Sequence, residues 1–199
     1  MGCIKILVPG GKELQGHLIE ERAYCRVRDL AEALGFGVSW QPDVVSVAEK
    51  PRDIGPETDL RLPSGANAQT LDRYFGQSPI AGLGKDFIEA ELKWRVNAVF
   101  AAAVACHESN FGRSTIAQSK KNLFGICAYD TDPYGSARTY GSFKESIEDF
   151  CRLISREYLN PGGKYFHSPT VVGVGKRYAS DPLWSEKVLK HCKAIVTLA

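Results

Sequence analysis

The stretch NAVFAAAVACHESNFGRS, residues 97–114, decides the fold, because it is apolar on every side until it reaches a polar end. A surface helix shows a single apolar stripe, whereas a helix that is apolar all round is buried at the centre of a fold. We therefore predict a buried helix that starts at Asn97 and ends in polar residues. Glu108 stands at that polar end.

Other helices are predicted around this one. Residues 67–75 form a short helix candidate, and Asp86 can cap a helix that carries Phe87, Ala90 and Trp94 on one side. The segment GICAYDTDPYGSARTY, residues 125–140, contains Pro, Gly and aromatic residues that suit a small β-hairpin or an irregular lobe.

Two further helix starts are clear in the last third of the chain. Ser142 followed by Glu145 matches a capping box, and Asp181 with Pro182 indicates the start of the last helix. The apolar positions after each start follow helical spacing. The first predicted face consists of Ile147, Phe150, Cys151, Ile154 and Tyr158, and the second of Trp184, Val188, Cys192 and Ile195.

The first 48 residues have a different pattern. Strands are predicted at residues 4–8 and near Leu18, separated by a Gly10-Gly11 turn, followed by a helix over 27–34 and a hairpin formed by 38–40 and 44–47. This ββαββ order, with YCRVRDLAEALGFGVSWQPDVVSV, resembles the small N-terminal domain of copper amine oxidases. The resemblance implies a docking or spacer module, and a fold-specific N-terminal subdomain is the alternative. Residues 49–66, rich in Pro and charge, are predicted as a linker.

Composition excludes several classes of protein. The 199 residues include 25 basic and 23 acidic side chains, a net charge of +2, which is too even to indicate a nucleic-acid partner. No segment approaches the roughly 20 apolar residues of a membrane span, so no membrane insertion is expected. The opening MGCIKILVPGG does not match a signal peptide. We expect either a removed leader or, preferably, export without one, as for phage lysins.

Metal and redox chemistry are not indicated. The four histidines are dispersed, and the six cysteines form no Cys-x-x-Cys pair. We therefore expect no metal and no cofactor, and cysteines that remain reduced thiols, as in a chain folded in the cytosol.

Glu108 is the first candidate catalytic residue. A carboxylate at the polar end of an apolar helix lies where desolvation disfavours its charged form and raises its pKa. A general acid needs such a carboxyl group, because it must keep its proton near neutral pH. The alternative is that Glu108 only marks the helix end. Its neighbour His107 is expected to be structural.

Three stretches resemble, in order and spacing, the glucosaminidases of family 73 of the glycoside hydrolases over about residues 86–197. The family's Glu-Ser-x-aromatic-Gly-x-Ser is matched by HESNFGRS, its Asn-Leu-Phe-Gly by residues 122–125, and its Tyr-Ala-x-Asp-Pro by residues 178–182. The resemblance implies an α+β chain whose catalytic domain, residues 67–199, is lysozyme-like and mainly α-helical with a small β-hairpin lobe.

The resemblance also implies an activity and a set of site residues. It implies hydrolysis of the β-1,4 bond after N-acetylglucosamine in peptidoglycan, with Glu108 as acid and Tyr178 as an essential hydroxyl. Asn122 and Phe124 are expected to face the sugar chain, because an amide can pair with an N-acetyl group and a ring can stack on a pyranose. Tyr129 is a third substrate-binding candidate.

The second carboxylate is not decided by the sequence. Inverting and retaining glycosidases each use a second acid, unless the substrate's acetamido group attacks. The family tends to place a candidate in the lobe after Asn-Leu-Phe-Gly, where Asp130 and Asp132 rank equally. Glu145 is explained as a cap, and Glu148 and Asp149 are interpreted as a solvated helix face.

Two alternatives share these residues. A lytic transglycosylase needs one Glu and uses the muramic acid 6-hydroxyl instead of water, and a non-catalytic wall-binding protein would retain only the scaffold. The Tyr-Ala-x-Asp-Pro match favours the glucosaminidase, and the pairing of Glu108 with Tyr178 argues against a binding protein. We expect a monomeric phage or prophage endolysin, made in the cytoplasm, that acts on bacterial peptidoglycan.

Overall fold

A computed structural model of the chain describes residues 2–8, 12–19, 22–26, 29–30, 36–41, 44–49, 51–128 and 132–198. The chain divides into two compact units, residues 1–50 and 51–199, which are described separately. Within the described ranges, no helix is long and apolar enough to cross a membrane.

The described residues of the first unit include five short strands. Strands β1 (Gly2–Val8), β2 (Lys12–Ile19) and β3 (Arg22–Cys25) form an antiparallel sheet in the order β1-β2-β3. Strands β4 (Phe36–Gln41) and β5 (Val44–Glu49) form a separate antiparallel hairpin with Val38 opposite Val47. The predicted strand regions are therefore present, and β3 is an additional strand that the ββαββ pattern did not include.

The helix predicted over residues 27–34 falls mostly outside the described residues, as does the predicted Gly10-Gly11 turn. Of that helix, Asp29 and Leu30 are described, and both are helical. The resemblance of this unit to the domain of copper amine oxidases stays a prediction.

The second unit is mainly helical, as predicted. Its helices are α1 (Ala68–Phe75), α2 (Gly84–Trp94), α3 (Ala98–Ser109), α4 (Thr115–Lys120), α5 (Pro133–Ser136), α6 (Phe143–Leu153), α7 (Val171–Tyr178) and α8 (Trp184–Thr197), and a π-helical turn, Ile154–Tyr158, continues α6.

Helix α3 is the buried centre of this unit. All of its residues from Ala98 to Cys106 are at most 1% exposed, and it packs chiefly against α8. Asn97 begins the helix by accepting a hydrogen bond from the Phe100 amide at 3.1 Å. The prediction of a central helix that is apolar on every side is confirmed, and it fixes the position of Glu108 in the last turn.

The predicted apolar faces of the next helices are also confirmed. The five residues assigned to the face that begins at Ser142 are buried along α6 and its π-helical continuation, and the four assigned to the last helix are buried along α8. At the start of α6, the Ser142 hydroxyl accepts from the Glu145 amide, and the Glu145 carboxylate accepts from the Gly141 amide. Asp86, the predicted cap of α2, lies in its first turn instead.

The linker predicted over residues 49–66 differs from the structure, in which residues 51–66 belong to the second unit. Ile54 and Leu60 are buried in its core, and the Leu60 amide donates to the Pro169 carbonyl at 2.8 Å. The prediction fails because isolated apolar residues in an irregular segment show no period, although each one is buried by tertiary contacts.

The lobe predicted over residues 125–140 also differs from expectation. The described part of this segment contains no β-strand, and the short helix α5 occupies its middle. Asp132 caps that helix, since its carboxylate accepts from the Gly135 amide at 2.8 Å. An Asp-Pro pair therefore starts a helix here, because Pro suits the first helical position and Asp satisfies a free amide.

Candidate active site

A cleft of about 740 Å³ in the second unit contains both residues that were predicted to carry the chemistry. Glu108 reaches it from the last turn of α3, and Tyr178 from the C-terminal end of α7. Trp184, the first residue of α8, lines the same cleft. Residues that are far apart in the sequence thus meet at the ends of three helices.

The turn after Glu108 explains much of the motif that follows it. Asn110, Phe111 and Gly112 all have positive φ, at 50°, 56° and 77°, so the chain reverses sharply at the end of α3. The Ser109 hydroxyl accepts from the Gly112 amide at 2.7 Å. A Cβ atom on Gly112 would lie 2.7 Å from a methyl group of Ile80, so both the backbone and the space require glycine.

Glu108 combines access to the cleft with a perturbed pKa. The residue is exposed, yet the surrounding walls partly desolvate its carboxyl group, and this desolvation raises its pKa. Two groups work in the opposite direction. The Trp184 indole Nε1 donates to Glu108 Oε1 at 2.7 Å, and the adjacent His107 favours the charged form. The net shift is upward, in the direction that a general acid requires.

Tyr178 is held in an aromatic environment beside Glu108. Its hydroxyl donates to the Phe124 carbonyl oxygen at 2.9 Å, and its ring lies 5.3 Å from that of Trp184 and 5.9 Å from that of Phe150, centroid to centroid. Burial, with the nearby Glu108 carboxylate, raises its pKa well above the ordinary value. Tyr178 is therefore a neutral phenol at physiological pH.

The two residues predicted to face the sugar have structural positions instead. Asn122 is 1% exposed; its amide donates to the carbonyls of Ile126 and Arg138, and its carbonyl accepts from the amides of Phe124 and Ile126. These four bonds use the side chain's hydrogen-bonding capacity. Asn122 thus shapes the loop, and no polar group remains for an N-acetyl group.

The Phe124 ring is also unavailable as a sugar platform. It is 2% exposed and stacks on Phe150, with ring centroids 3.9 Å apart and planes inclined by 4°. The backbone carbonyl oxygen of Phe124 accepts a hydrogen bond from the Tyr178 hydroxyl and so positions that hydroxyl at the cleft. The prediction failed because an aromatic residue in a motif has the same sequence signature in a core as in a binding site.

Neither predicted candidate for the second carboxylate is seen beside Glu108 in the described part of the chain. Asp132 is exposed, caps α5 and does not line the cleft. Asp130 and Tyr129 lie outside the described residues, so their predicted roles stay predictions.

Two other carboxylates do line the cleft. Asp149 lies on α6 and Asp181 just before α8. Asp181 accepts from the Leu183 amide at 2.9 Å and from Lys187 Nζ at 2.6 Å. The bond from Lys187, followed by the one from the backbone, lowers the pKa of Asp181. Asp181 was interpreted from the sequence as a helix cap, but α8 begins at Trp184 with Leu183 in the cap position and no side-chain capping bond. The Asp181 carboxylate instead closes the turn that precedes the helix.

Asp149 is the residue that the sequence interpretation missed. It was assigned to a solvated helix face, but its side chain is only 14% exposed and forms ion pairs with Arg138 and Arg152. Tyr140 adds a hydrogen bond from its hydroxyl at 2.7 Å. Burial opposes the ionisation of Asp149, but these three donors outweigh it, and the pKa lies below the usual value. No periodicity reveals such a site, since Arg138 and Tyr140 come from the preceding loop and only Arg152 lies on the same helix.

Among the described residues, no three or more His, Cys, Asp or Glu side chains are grouped so that they could hold a metal ion. Five cysteines are free thiols: Cys25, Cys106, Cys127, Cys151 and Cys192.

Comparison with solved structures agrees with the observed fold. The chain is similar to autolysin E of S. aureus, with a TM-score of 0.60 and 21% identity over 73% of each chain for a catalytic mutant in complex with the disaccharide NAG-NAM. A second autolysin E structure, in complex with the muropeptide NAM-L-Ala-D-iGlu, gives a TM-score of 0.58 at 19% identity over 85% of this chain and 89% of that one. These likenesses establish the fold of the second unit.

Sequence comparison adds two proteins of Streptococcus pneumoniae, each named "Putative endo-beta-N-acetylglucosaminidase". Both are 38% identical to this chain over 135 residues, which is 65% of its length. The chain spans about a fifth of the length of these curated relatives. Residues 84–196 match the glucosaminidase family model, described as mannosyl-glycoprotein endo-beta-N-acetylglucosaminidase. More than half of the chain is matched, so the resemblance drawn from its three motifs is confirmed and the chain belongs to the glucosaminidase family.

Proposed function

We propose that this chain is a glycoside hydrolase that cleaves the β-1,4 bond after N-acetylglucosamine in bacterial peptidoglycan. The main observation behind the proposal is that Glu108 lines a cleft and that the pKa of its carboxyl group is raised. Family membership and the names of the pneumococcal relatives support the reaction class. The NAG-NAM complex of autolysin E supports peptidoglycan as the substrate.

Glu108 acts as the general acid in this proposal. It donates its proton to the glycosidic oxygen as the bond to the leaving sugar breaks, and the raised pKa keeps that proton available. The indole N–H of Trp184 then stabilises the carboxylate that is left behind, because it already donates to Oε1 at 2.7 Å. Both effects come from groups that are in place before substrate binds.

Tyr178 acts as a neutral hydroxyl rather than as a nucleophile. Its pKa is raised well above the ordinary value, so the phenolate required for attack is scarce at physiological pH. Its proton is engaged by the Phe124 carbonyl, which leaves the oxygen lone pairs to accept a hydrogen bond from the substrate. A hydroxyl fixed in this way can orient the sugar beside Glu108.

A lytic transglycosylase is the second candidate, and one observation favours it. Among the described cleft residues, the carboxylates other than Glu108 are already engaged, Asp149 by two arginines and Asp181 by Lys187. A reaction that uses one carboxyl group fits this arrangement. That reaction is either hydrolysis assisted by the substrate's acetamido group or transfer to the muramic acid 6-hydroxyl. Asp130 and Asp132 remain our proposed second acids if a base is required.

The proposal is tested with the variant Glu108→Gln on purified peptidoglycan. The amide keeps the size of the side chain but has no acidic proton, so we expect wall binding to survive and lysis to stop. Unchanged lysis would contradict the assignment of the acid. Asp132→Asn and Asp149→Asn are matched variants at other carboxylates. Turnover should be abolished only where the replaced carboxylate is a required base.

The products distinguish the candidate reactions. Fragments are analysed by mass spectrometry with and without borohydride reduction. Reducible N-acetylglucosamine ends are expected for the glucosaminidase, whereas anhydro-muramic ends would identify a transglycosylase. Wall binding by the wild-type chain with no fragments released would instead indicate a binding protein. The role as a phage or prophage endolysin and the monomeric state stay predictions.

A further inference from the structure

Three arginines line the cleft that contains Glu108: Arg138, Arg152 and Arg177. Two of them are held by one carboxylate. Arg138 Nη1 lies 2.5 Å from Asp149 Oδ2, and Arg152 Nη2 bonds to the other oxygen, Oδ1. Because Asp149 is itself largely buried, it anchors both guanidinium groups at the cleft wall.

The anchored arginines keep unused donor groups. A guanidinium has five N–H donors, and the bonds to Asp149 use one nitrogen of each arginine. Their side chains remain 47% and 43% exposed. The other donors are therefore accessible to a ligand in the cleft, although the orientation of both side chains is fixed.

Most acidic groups of the described cleft are already paired with cationic side chains. Asp149 carries one negative charge against the two arginines that it binds, and Asp181 is paired with Lys187. Arg177 is exposed and forms no ion pair with another described residue. Three arginines and three carboxylates thus line the described cleft, and two of those carboxylates are already engaged by cationic side chains.

We propose that Arg138, Arg152 and Arg177 bind a carboxylate of the substrate, and that Asp149 is a positioning residue for this site. Fixed, planar guanidinium groups are suited to carboxylates, which they bind through paired hydrogen bonds. This inference rests on the proposed function, because muramic acid carries the carboxylate. The group is either the lactyl carboxylate of the sugar or a carboxylate of the stem peptide attached to it. The site selects muramic-acid-containing glycans over neutral N-acetylglucosamine polymers.

The test compares three glycans: peptidoglycan with intact stem peptides, the same strands after amidase treatment, which frees the lactyl carboxylate, and neutral N-acetylglucosamine oligomers. Arg152→Gln and Arg177→Gln are expected to raise KM about tenfold on the muramic-acid-containing glycan that presents the bound carboxylate, with little change in kcat. Tenfold is about the factor for losing one charged hydrogen bond at an exposed site. Neither variant should alter turnover of the neutral oligomers. Arg152→Lys keeps the charge without the planar fork and should recover only part of the loss.

The matched control is Lys85→Gln, which removes one positive charge from a side chain that is 80% exposed and does not line the cleft. Its KM should equal that of the wild type on every substrate. If the arginine effect appears only after amidase treatment, the lactyl carboxylate is bound; if treatment abolishes an effect seen on intact peptidoglycan, a carboxylate of the stem peptide is bound. Either result supports the site.

Equal losses on charged and neutral glycans, or no loss in any arginine variant, would overturn the inference while leaving the proposed activity intact. A separate binding measurement keeps the two questions apart. Calorimetric titration of a soluble muropeptide into Glu108→Gln protein, with and without Arg177→Gln, reports on the site even if no glycan is cleaved. The expected result is about tenfold weaker binding when Arg177 is replaced.

Discussion

The hydrogen bond between Trp184 and Glu108 leads to a prediction about pH dependence. The indole N–H donates to the carboxyl oxygen at 2.7 Å, and because it favours the charged form, it lowers a pKa that desolvation raises. Trp184→Phe removes the donor but keeps an aromatic ring. The pKa of Glu108 should therefore rise further in this variant.

The size of the effect follows from the geometry. A hydrogen bond to a charged group contributes about 1.5–3 kcal/mol, and we reduce this to about 1 kcal/mol because Glu108 is exposed to solvent in the cleft. Since 1.36 kcal/mol corresponds to one pKa unit, about 1 kcal/mol corresponds to roughly 0.7 pH unit. A general acid must be protonated, so the alkaline limb of kcat/KM should move to higher pH by about 0.5 to 1 unit.

The assay is hydrolysis of purified peptidoglycan across the pH range that contains this limb. Trp94→Phe is a matched control, because the Trp94 indole donates to the Glu148 carboxylate at 2.8 Å but neither residue lines the cleft with Glu108. The control should leave the profile unchanged. Trp184 is 2% exposed, so circular dichroism must establish that its variant is folded. An alkaline limb that stays in place or moves to lower pH in a folded Trp184→Phe protein would refute the reasoning.

Three further predictions concern stability. Asn122→Ala should lower the free energy of unfolding by about 2–4 kcal/mol, measured by thermal unfolding, because it leaves buried backbone groups of its loop without partners; a loss below 1 kcal/mol would contradict this. Glu91→Leu should cost about 2–5 kcal/mol in the same measurement, since its carboxylate accepts from the buried amides of Ser64 and Ala98, and Glu91→Gln should retain part of that stability. For Asp149, burial opposes ionisation, but hydrogen bonds outweigh it and lower the pKa of the carboxyl group in the folded protein. The contribution of Asp149 to the free energy of unfolding is therefore present above about pH 4 and is lost as the pH falls through the pKa of the folded state. The difference in Tm between wild type and Asp149→Asn should therefore shrink in acid, and a difference that is constant with pH would count against the ion pairs.

The sequence predicted well wherever local patterns and burial agree. Helix α3 was predicted because no polar residue interrupts it between Ala98 and Cys106, and a segment with no polar face can only be buried. The start of α6 was indicated by Ser142, and the structure shows its capping bond with the Glu145 amide. Asp181 indicated the turn just before α8, where its carboxylate accepts from the Leu183 amide. These features depend on neighbours within a few positions along the chain.

The site could be predicted only in part. Glu108 and Tyr178 lie in one cleft, as the motif resemblance implied, whereas Asn122 and Phe124 belong to the same kind of motif and are buried. A motif shows which residue type is required at a position. It does not show whether that residue is required for the structure of a loop or for contact with the substrate. Asp149 shows the converse, since its pattern was that of a solvated face.

Local patterns were enough to predict the central buried helix, the apolar faces of α6 and α8, and the candidate acid at the end of α3. Each follows from spacing along one segment or from a motif of adjacent residues. Three other features were found only in the folded chain: the packing of residues 51–66 into the second unit, the hydrogen bonds that engage the Asn122 side chain, and the pairing of Asp149 with Arg138 and Arg152. Some of these partners are close in sequence, but no spacing rule predicts which of them meet, because this depends on how the loops fold and the helices pack.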